Sequence, residues 1–409
     1  MTVANRDLIR SINQFSILNA IRVAGVISRV ELAEVTGQSR ASVTNITASL
    51  IEQDLIYEKE TADTTQRGRK RMLLALNSDA AYVVGVKLSA FRISCAVTDM
   101  QAEVKSSIIM PVRTSERPVE FVADLIEEGI RHCISEAGLN TGKISGIGIG
   151  VPGFVDYHTG VCRWTPLYKT GDVPLKDLVR DRFQITTFIE NDSNTVTLAH
   201  QWFGEGRDTD NFLVVSIEDG IGMGIVVNGQ IYRGQQGFAA EFGHVVVEPG
   251  GLLCRCGKRG CVEAYASDFS IVDAARRALG RGDWVCERGA DLTIGEITAA
   301  AHHGEPALRK IFARAGRALG MGLSGLIQIF NPSKIIISGE GVRAGDLMFN
   351  ALRKAIDTYT NPEIRSSTEI IIQKWRDTDW ARGAACLALQ EFYKSPLETV
   401  RPHAPLPDP

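Results

Sequence analysis

The sequence predicts an α/β protein with a winged helix-turn-helix at its N-terminus. Up to about residue 78, apolar residues recur at helical spacing and the positive charge is concentrated in residues 67–71. From residue 79 onward, β-branched strand patterns alternate with amphipathic helices, which favours mixed sheets covered by helices. At 409 residues the chain is too long for one ordinary domain. We predict a DNA-binding domain over 1–78, a larger α/β region over 79–393, and a disordered proline-rich tail over 394–409.

The composition excludes several classes of protein. Hydrophobic residues make up 44% and charged residues 23% of the chain, as in soluble globular proteins. No apolar run reaches the roughly 18 residues of a membrane span, and the first residues lack the apolar segment of a secretory signal. A net charge of -3 excludes a uniformly basic coat for nucleic acid but not a local basic element. Eight cysteines without an export signal do not suggest a disulfide framework, so we expect a cytoplasmic protein.

The N-terminal helices have the pattern of a helix-turn-helix. Ser28 and Glu31 fit a capping box, so a helix begins there and ends before Gly37. Ser39 is a suitable N-cap for the next helix, which has an apolar stripe at Val43, Ile46, Leu50 and Ile51. Small and polar side chains on the opposite face suit a helix lying in a major groove. The residues expected to contact DNA from this helix are Arg40, Ala41, Thr44 and Asn45.

A basic hairpin follows the helices. Residues 56–77 predict a β-wing whose tip carries Arg67, Arg69 and Lys70, and arginines at such a tip can enter a narrow minor groove. The alternative is a three-helix bundle used for dimerisation, with a solvated basic loop. The capped helix pair, the short glycine turn and the basic wing together favour DNA binding.

One histidine and three cysteines form a second pattern over residues 244–261. The spacing is His244-x9-Cys254-x-Cys256-x4-Cys261, and Gly257 and Gly260 allow tight turns between the thiols. A set of three cysteines and one histidine is typical of structural zinc, and four protein ligands leave no coordination position for a catalytic water. Buried free thiols or a redox pair are the alternatives. We predict one structural zinc ion with the ligands His244, Cys254, Cys256 and Cys261.

The wider pattern resembles a known family. G-x-x-x-E-x-G-H followed by C-x-C-G-x-x-G-C-x-E is similar to the signature of the ROK family of repressors, open reading frames and kinases. The resemblance covers about residues 10–393. It implies an actin-like, ribonuclease-H-like sugar kinase fold of two lobes. Members with an N-terminal winged helix-turn-helix include repressors of xylose, N-acetylglucosamine and glucose regulons, which this chain resembles.

The resemblance also implies a sugar site between the lobes. Residues 150–153 match the loop beneath the sugar, and residues 190–192 match a segment in which Asn binds hydroxyls and Asp is the general base of the kinases. Carboxylates and an amide suit a ring of hydroxyls that donate and accept hydrogen bonds. The implied sugar-binding residues are Gly153, Asn191, Asp192, Glu241, His244 and Glu263, with one ring nitrogen of His244 on zinc and the other toward the sugar. Alternatively, Asp192 only caps a helix beginning at Ser193.

The phosphate-binding segments of the family's kinases are missing. In place of D-x-G-G-T the chain has Lys87-Leu88-Ser89-Ala90-Phe91, and in place of G-T-G-x-G-G-G it has the segment from Glu218 to Gly224. Side chains would fill the space of the phosphates, and the two acidic residues of the second segment would repel a triphosphate. We therefore expect no ATP binding and no catalytic residues, and we interpret Asp192 as a ligand-binding residue of a protein that is not an enzyme.

The combined features predict a sugar-responsive transcriptional repressor. A sugar or sugar phosphate would alter the closure of the lobes and release the double-stranded DNA operator. Helix-turn-helix proteins commonly read two half-sites, so we expect a homodimer, or a tetramer, with no membrane insertion. Two alternatives stay open, a sugar kinase with a DNA-binding domain and a repressor controlled by a protein partner such as a sugar transporter component. Xylose, glucose, N-acetylglucosamine and their phosphates all remain candidate effectors.

Overall fold

The fold was obtained as a computed structural model. It describes residues 6–60, 72–115, 117–157, 159–169, 171–286, 291–374, 376 and 378–393. The described residues form two compact units. The first takes the chain up to Ile149, Pro174–Ile189 and the chain from Ala384; the second takes Gly150–Val173 and Glu190–Gly383. The domain boundaries at 78 and 393 remain predictions, and the predicted tail over 394–409 lies outside the described residues.

The N-terminal segment folds as a winged helix-turn-helix. Its elements are α1 Arg6–Ala24, β1 Val26–Ser28, α2 Arg29–Thr36, α3 Arg40–Glu52, β2 Ile56–Glu60 and β3 Met72–Leu76. The strands form an antiparallel sheet in the order β1-β3-β2. The capping box at Ser28 is present, since its hydroxyl accepts from the Glu31 amide and its own amide donates to the Glu31 carboxylate. Gly37 ends α2 at φ 66°, as predicted.

The apolar stripe of α3 is confirmed with one difference. Val43, Ile46 and Leu50 are buried, but Ile51 is only partly so. Thr47, a polar residue outside the predicted stripe, is fully buried. Its hydroxyl accepts a hydrogen bond from Arg29 Nε at 3.0 Å and donates to the Thr44 carbonyl, so this buried polar group is satisfied.

The rest of the chain alternates strands and helices. In chain order these are β4 Tyr82–Leu88, β5 Arg92–Thr98, β6 Val104–Pro111, α4 Val119–Glu136, β7 Ile144–Val151, β8 Phe154–Asp156, β9 Val161–Trp164, α5 Leu175–Phe183, β10 Thr187–Asn191, α6 Asp192–Phe203, β11 Phe212–Ile217, β12 Ile221–Val227, β13 Gln230–Ile231, α7 Glu263–Ala266, α8 Asp268–Gly280, α9 Ile294–His302, α10 Pro306–Phe330, β14 Lys334–Ser338, α11 Asp346–Tyr359, α12 Pro362–Ser366, β15 Glu369–Ile372 and α13 Thr378–Tyr393. None of the described helices combines the length and the apolar character that crossing a bilayer requires.

Within the described residues, two five-stranded sheets have matching strand orders. One is β6-β5-β4-β7-β10 and the other is β13-β12-β11-β14-β15. Each begins with three consecutive strands, in which β4 pairs antiparallel with β5 and β11 pairs antiparallel with β12. β11 is buried along its whole length and pairs in parallel with β14, which explains its continuous apolar sequence. The two lobes that the family resemblance implies are therefore represented by two sheets of similar plan.

Two glycines of β12 allow α6 to pack closely against that strand. A Cβ at Gly222 would lie 2.0 Å from Ser193 Oγ, and one at Gly224 would lie 2.0 Å from Thr197 Oγ1. Only residues without a side chain permit this approach. The close packing fixes the first turn of α6, where two of the predicted sugar-binding residues lie.

Candidate DNA-binding surface, metal centre and sugar site

The predicted DNA-contacting residues on the outer face of α3 are exposed to solvent, as contacts with DNA bases require. Arg40, Ala41, Thr44 and Asn45 are all exposed. The Thr44 hydroxyl donates to the Arg40 carbonyl at 2.8 Å, so its acceptor lone pairs and its methyl group are what it can offer to a base. The predicted wing contacts Arg67, Arg69 and Lys70 lie outside the described residues and stay predictions.

The helix that carries this face is held by polar contacts on its other side. Gln38 Nε2 donates to the Asn13 carbonyl at 3.2 Å, joining the turn before α3 to α1. Arg29 bonds Thr47 on α3 and forms an ion pair of 2.7 Å with Glu58 on β2. These contacts fix α3 relative to its neighbours, so its exposed side chains are presented from a rigid support.

We expect Asn45→Ala to weaken binding to the preferred duplex by about 1–3 kcal/mol and to relax base preference at one position, because an amide on a recognition helix reads a base edge. The probe is a duplex selected by the full chain from a random DNA library. Gln53→Ala is the matched control, since Gln53 is an exposed amide beyond the end of α3. An Asn45→Ala protein with unchanged affinity and unchanged base preference would contradict the assignment.

The histidine and the three cysteines come together as one cluster. The four potential ligand atoms all lie within 4.8 Å of one another, with Cys254 Sγ 3.7 Å from His244 Nδ1 and Cys256 Sγ 3.8 Å from Cys261 Sγ. A tetrahedron with zinc–sulfur bonds of about 2.3 Å has edges of about 3.8 Å. The donor set and its spacing therefore fit a tetrahedral metal ion.

The backbone around the cluster forms a tight knuckle. The Cys254 amide donates to the Lys258 carbonyl at 2.8 Å and the Gly257 amide donates to the Cys254 carbonyl at 3.0 Å. Burial, and also the nearby Glu263 carboxylate, raise the pKa of the Cys254 thiol to about 12. A thiolate at this position therefore needs a nearby cation, and a bound divalent ion would supply it.

His244 faces two neighbourhoods with its two ring nitrogens. Nδ1 points to Cys254, while Nε2 lies 4.0 Å from Glu241 Oε2. Glu263 is also shared, because Oε1 lies 3.8 Å from Cys254 Sγ and Oε2 accepts from the Ile221 amide at 3.2 Å. The cluster of His244 and the three cysteines is thus directly adjacent to the acidic residues of the predicted sugar site.

The pKa of Glu241 depends on the charged groups around it, Asp192 among them. Burial raises the pKa of Glu241, and the carboxylates of Glu263 and Asp192 raise it further against the opposing effect of His244. Carboxylates accept hydrogen bonds from sugar hydroxyls, and an imidazole ring can donate or accept. The cluster of Asp192, Glu241, His244 and Glu263 is therefore suited to a ligand rich in hydroxyl groups.

Asn191 and Gly153 form the other part of the predicted site. Asn191 Nδ2 donates to the Gly153 carbonyl at 2.9 Å, and its Oδ1 accepts from the amides of Ser193 and Asn194. Asn191 is thus the N-cap of α6, and Asp192 is the first helical residue. The alternative in which Asp192 caps a helix beginning at Ser193 is therefore wrong, although Asp192 Oδ1 does accept from the Ser193 amide at 2.9 Å.

Glu190 anchors this turn, a role that the sequence did not reveal. Its side chain is 1% exposed and accepts from the Asn191 amide at 2.9 Å and from Asn194 Nδ2 at 3.1 Å. Arg233 Nε donates to the same carboxylate at 2.6 Å. The only sequence signal was the position of Glu190 beside Asn191, because Arg233 lies 43 residues away.

The segment at the place of the first phosphate loop is a self-contained hairpin turn. The Ser89 amide donates to the Arg92 carbonyl at 3.1 Å, and the Thr114 amide donates to the Ala90 carbonyl at 3.0 Å. Lys87 is 5% exposed, and Phe91 is 70% exposed. The Ser89 amide, at the position of the first glycine of D-x-G-G-T, is thus engaged within the turn.

The second segment corrects one argument from the sequence. Asp219 forms an ion pair with Arg255 at 2.6 Å, and Trp380 Nε1 donates to Glu218 Oε1 at 2.7 Å. Simple repulsion of a triphosphate by two acidic residues is therefore an incomplete account, because each has a partner. The ion pair joins the loop after β11 to Arg255, which lies between the predicted metal ligands Cys254 and Cys256.

A DNA-binding module followed by a kinase-like α/β region with a candidate sugar site defines a class of regulators, and comparison with known proteins places the chain within it. Residues 83–391 match the ROK family, and residues 10–57 match a winged helix-turn-helix DNA-binding module. The chain belongs to the ROK family.

Relatives of both kinds, repressors and kinases, share its fold. The xylose repressor of Caldicellulosiruptor bescii is 27% identical over 403 residues, which are 96% of this chain and 99% of the relative. A ROK family transcriptional regulator described as a homolog of the Escherichia coli MLC protein has a TM-score of 0.82 and 28% identity, covering 96% of this chain and 99% of that one. A Streptomyces griseus ROK glucokinase in complex with glucose and AMPPNP has a TM-score of 0.66 and 30% identity, covering 76% of this chain and all of the other.

Proposed function

We propose that this chain is a sugar-responsive transcriptional repressor that binds an operator through α3 and its wing and is released by a sugar or sugar phosphate. The observation that carries the proposal is the presence in one chain of a helix-turn-helix whose α3 has an exposed outer face and of a cluster of acidic side chains around His244. The names of its relatives, a xylose repressor and a transcriptional regulator, support the same function.

In this proposal the sugar is bound by Gly153, Asn191, Asp192, Glu241, His244 and Glu263. Asn191 contributes its remaining amide hydrogen, since the other is donated to Gly153. Asp192 and Glu241 accept from sugar hydroxyls. The segments that carry these groups are fixed by Glu190 on one side and by the metal centre on the other.

The metal in this proposal is a structural zinc ion held by His244 Nδ1 and the thiolates of Cys254, Cys256 and Cys261. Zinc would supply a tetrahedral crosslink, and its four protein ligands leave no position for substrate. The crosslink would fix His244 and the start of α7, where Glu263 lies. The metal site is therefore expected to order the sugar site next to it.

The proposal treats the protein as a regulator without phosphoryl transfer. A base at Asp192 performs no transfer without a phosphoryl donor. In the first segment the Ser89 amide bonds the Arg92 carbonyl, and in the second the Glu218 amide bonds the Gly220 carbonyl, so neither of these two amides is available to a phosphate. The alternative of a kinase with a DNA-binding domain is favoured by the retained Asp192 and by the likeness to the glucokinase.

Release of DNA in this proposal follows from linkage. A ligand shifts the equilibrium between a DNA-binding state and a released state only by the difference of its affinities for the two. In a homodimer that reads two half-sites, a small change in their separation is enough to lower operator affinity. Control by a protein partner would instead require no small-molecule ligand.

Thermal unfolding with xylose, glucose, N-acetylglucosamine and their phosphates tests the ligand class, because a ligand that binds only the native state raises the midpoint. We expect one member of the panel to stabilise the protein. An ATP-consumption assay with the same panel distinguishes regulator from kinase, and we expect no turnover. Stabilisation by none of the sugars would favour the protein partner, and sugar-dependent ATP consumption would establish the kinase.

A further inference from the structure

Three aromatic side chains form a cluster beside the candidate sugar residues. The rings of Phe154 and Trp164 have centroids 5.5 Å apart, and those of Phe154 and Phe238 are 5.1 Å apart. Trp164 is 52% exposed, whereas Phe154 and Phe238 are partly buried. Trp164 packs against Phe154, which in turn packs against Phe238, and its half-exposed indole presents an apolar surface to solvent.

The cluster is joined to the sugar site through the backbone. Phe154 follows Gly153, whose carbonyl accepts from Asn191, and Phe238 lies three residues before Glu241. Gly153 has φ 105°, and a Cβ there would lie 2.3 Å from the Trp164 carbonyl oxygen. The loop beneath the sugar and the strand that carries Trp164 are therefore in direct contact.

A second contact joins the hairpin of β8 and β9 to the turn before α6. The Arg233 guanidinium lies 4.2 Å from the centre of the Tyr157 ring, just after β8. Arg233 also bonds the buried Glu190, which in turn holds the Asn191 amide. The position of the aromatic cluster relative to Asn191 is thus set from two directions.

The exposed ring of Trp164 is not needed to hold the hairpin of β8 and β9. The hairpin is anchored by Val155 and Cys162, each 1% exposed. Cys162 and Val173 also exchange two backbone hydrogen bonds of 3.0 and 2.9 Å. About half of the Trp164 surface is exposed to water, so the indole contributes little to holding the hairpin and is available to a ligand.

We propose that Trp164 and Phe154 form a stacking subsite for a second sugar ring, so that the preferred effector is a disaccharide or longer glycoside. This inference rests on the proposed sugar-binding function. A pyranose ring has an apolar face of C–H groups that packs well on an aromatic face, while its hydroxyls stay in water at the edge. The first ring lies on the hydroxyl-binding cluster, and the next ring lies on the indole.

The test compares each monosaccharide with its β-1,4-linked disaccharide, using xylose and xylobiose, glucose and cellobiose, and N-acetylglucosamine and chitobiose. Affinities are measured by calorimetry for the wild type, Trp164→Ala, Trp164→Phe and the control Ile329→Ala, which removes another exposed apolar side chain of the same unit. We expect one disaccharide to bind the wild type at least about tenfold more tightly than its monosaccharide.

In Trp164→Ala that advantage should disappear while monosaccharide affinity stays within about twofold, and Trp164→Phe should keep most of the advantage because a ring remains. Equal affinity of the wild type for a monosaccharide and its disaccharide overturns the subsite and leaves the proposed function intact. An equal loss for both sugars in Trp164→Ala also overturns it, because the residue would then be structural. Binding of no sugar by the wild type overturns both the subsite and the sugar-binding function.

Discussion

Cys256→Ser is expected to lower the zinc content from one ion per chain to nearly none and to reduce the thermal unfolding midpoint. Cys256 Sγ lies 3.8 Å from Cys261 Sγ in a cluster that a tetrahedral ion fits, and a serine hydroxyl is a poor replacement for a thiolate. Structural zinc sites in small domains contribute about 10–16 kcal/mol of binding free energy, so the loss of one ligand has a large effect. Sugar affinity should fall as well, because Glu263 and His244 lose their support.

Elemental analysis of the purified protein measures the metal, and calorimetry measures the sugar. Cys286→Ser is the matched control, since Cys286 is a partly buried thiol outside the cluster. It should retain zinc and sugar affinity. A well-folded wild type without zinc would contradict the assignment of the site.

Asp192→Asn is expected to weaken effector binding about ten- to a hundredfold, equivalent to roughly 1.5–3 kcal/mol for one charge-assisted hydrogen bond. Asparagine retains an oxygen that can accept from the Ser193 amide, so the first turn of α6 should stay intact. Operator binding without sugar should be unchanged, because Asp192 belongs to the second unit and α3 to the first. The variant should be a repressor that keeps its operator at sugar concentrations that release the wild type.

Calorimetry and a gel-shift with and without sugar test the two parts of this prediction. Asp210→Asn is the control, because it removes one exposed carboxylate of the same unit away from the predicted site. Unchanged sugar affinity in Asp192→Asn would remove Asp192 from the site. A weaker affinity for DNA without sugar would show that the residue acts on the fold and not on the ligand.

The features that the sequence predicted well are those with short-range chemistry. The capping box at Ser28, the end of α2 at Gly37 and the buried positions of α3 depend on residues a few positions apart. The cluster from His244 to Cys261 was recognisable for the same reason, since the spacing of its ligands is compact. Local hydrogen bonds and periodicity are nearly independent of the remaining fold.

The features that could not be predicted from the sequence depend on contacts between residues far apart in the chain. Glu218 and Trp380 are 162 residues apart, so the partner of that carboxylate could not be inferred from the loop alone. Arg233 and Glu190 are likewise brought together only by the fold. The alternative that places the N-cap of α6 at Asp192 is one residue too late, since Asn and Asp are equally good caps and it is Asn191 Oδ1 that accepts from the Ser193 and Asn194 amides.

The most direct test of the central claim is the affinity of the full chain for its selected DNA duplex, measured by fluorescence anisotropy over a titration of the sugar that stabilises the protein. The account predicts tight binding without sugar and release as the sugar occupies its site, with no requirement for ATP. Operator affinity that stays constant while the sugar is shown by calorimetry to be bound would contradict it.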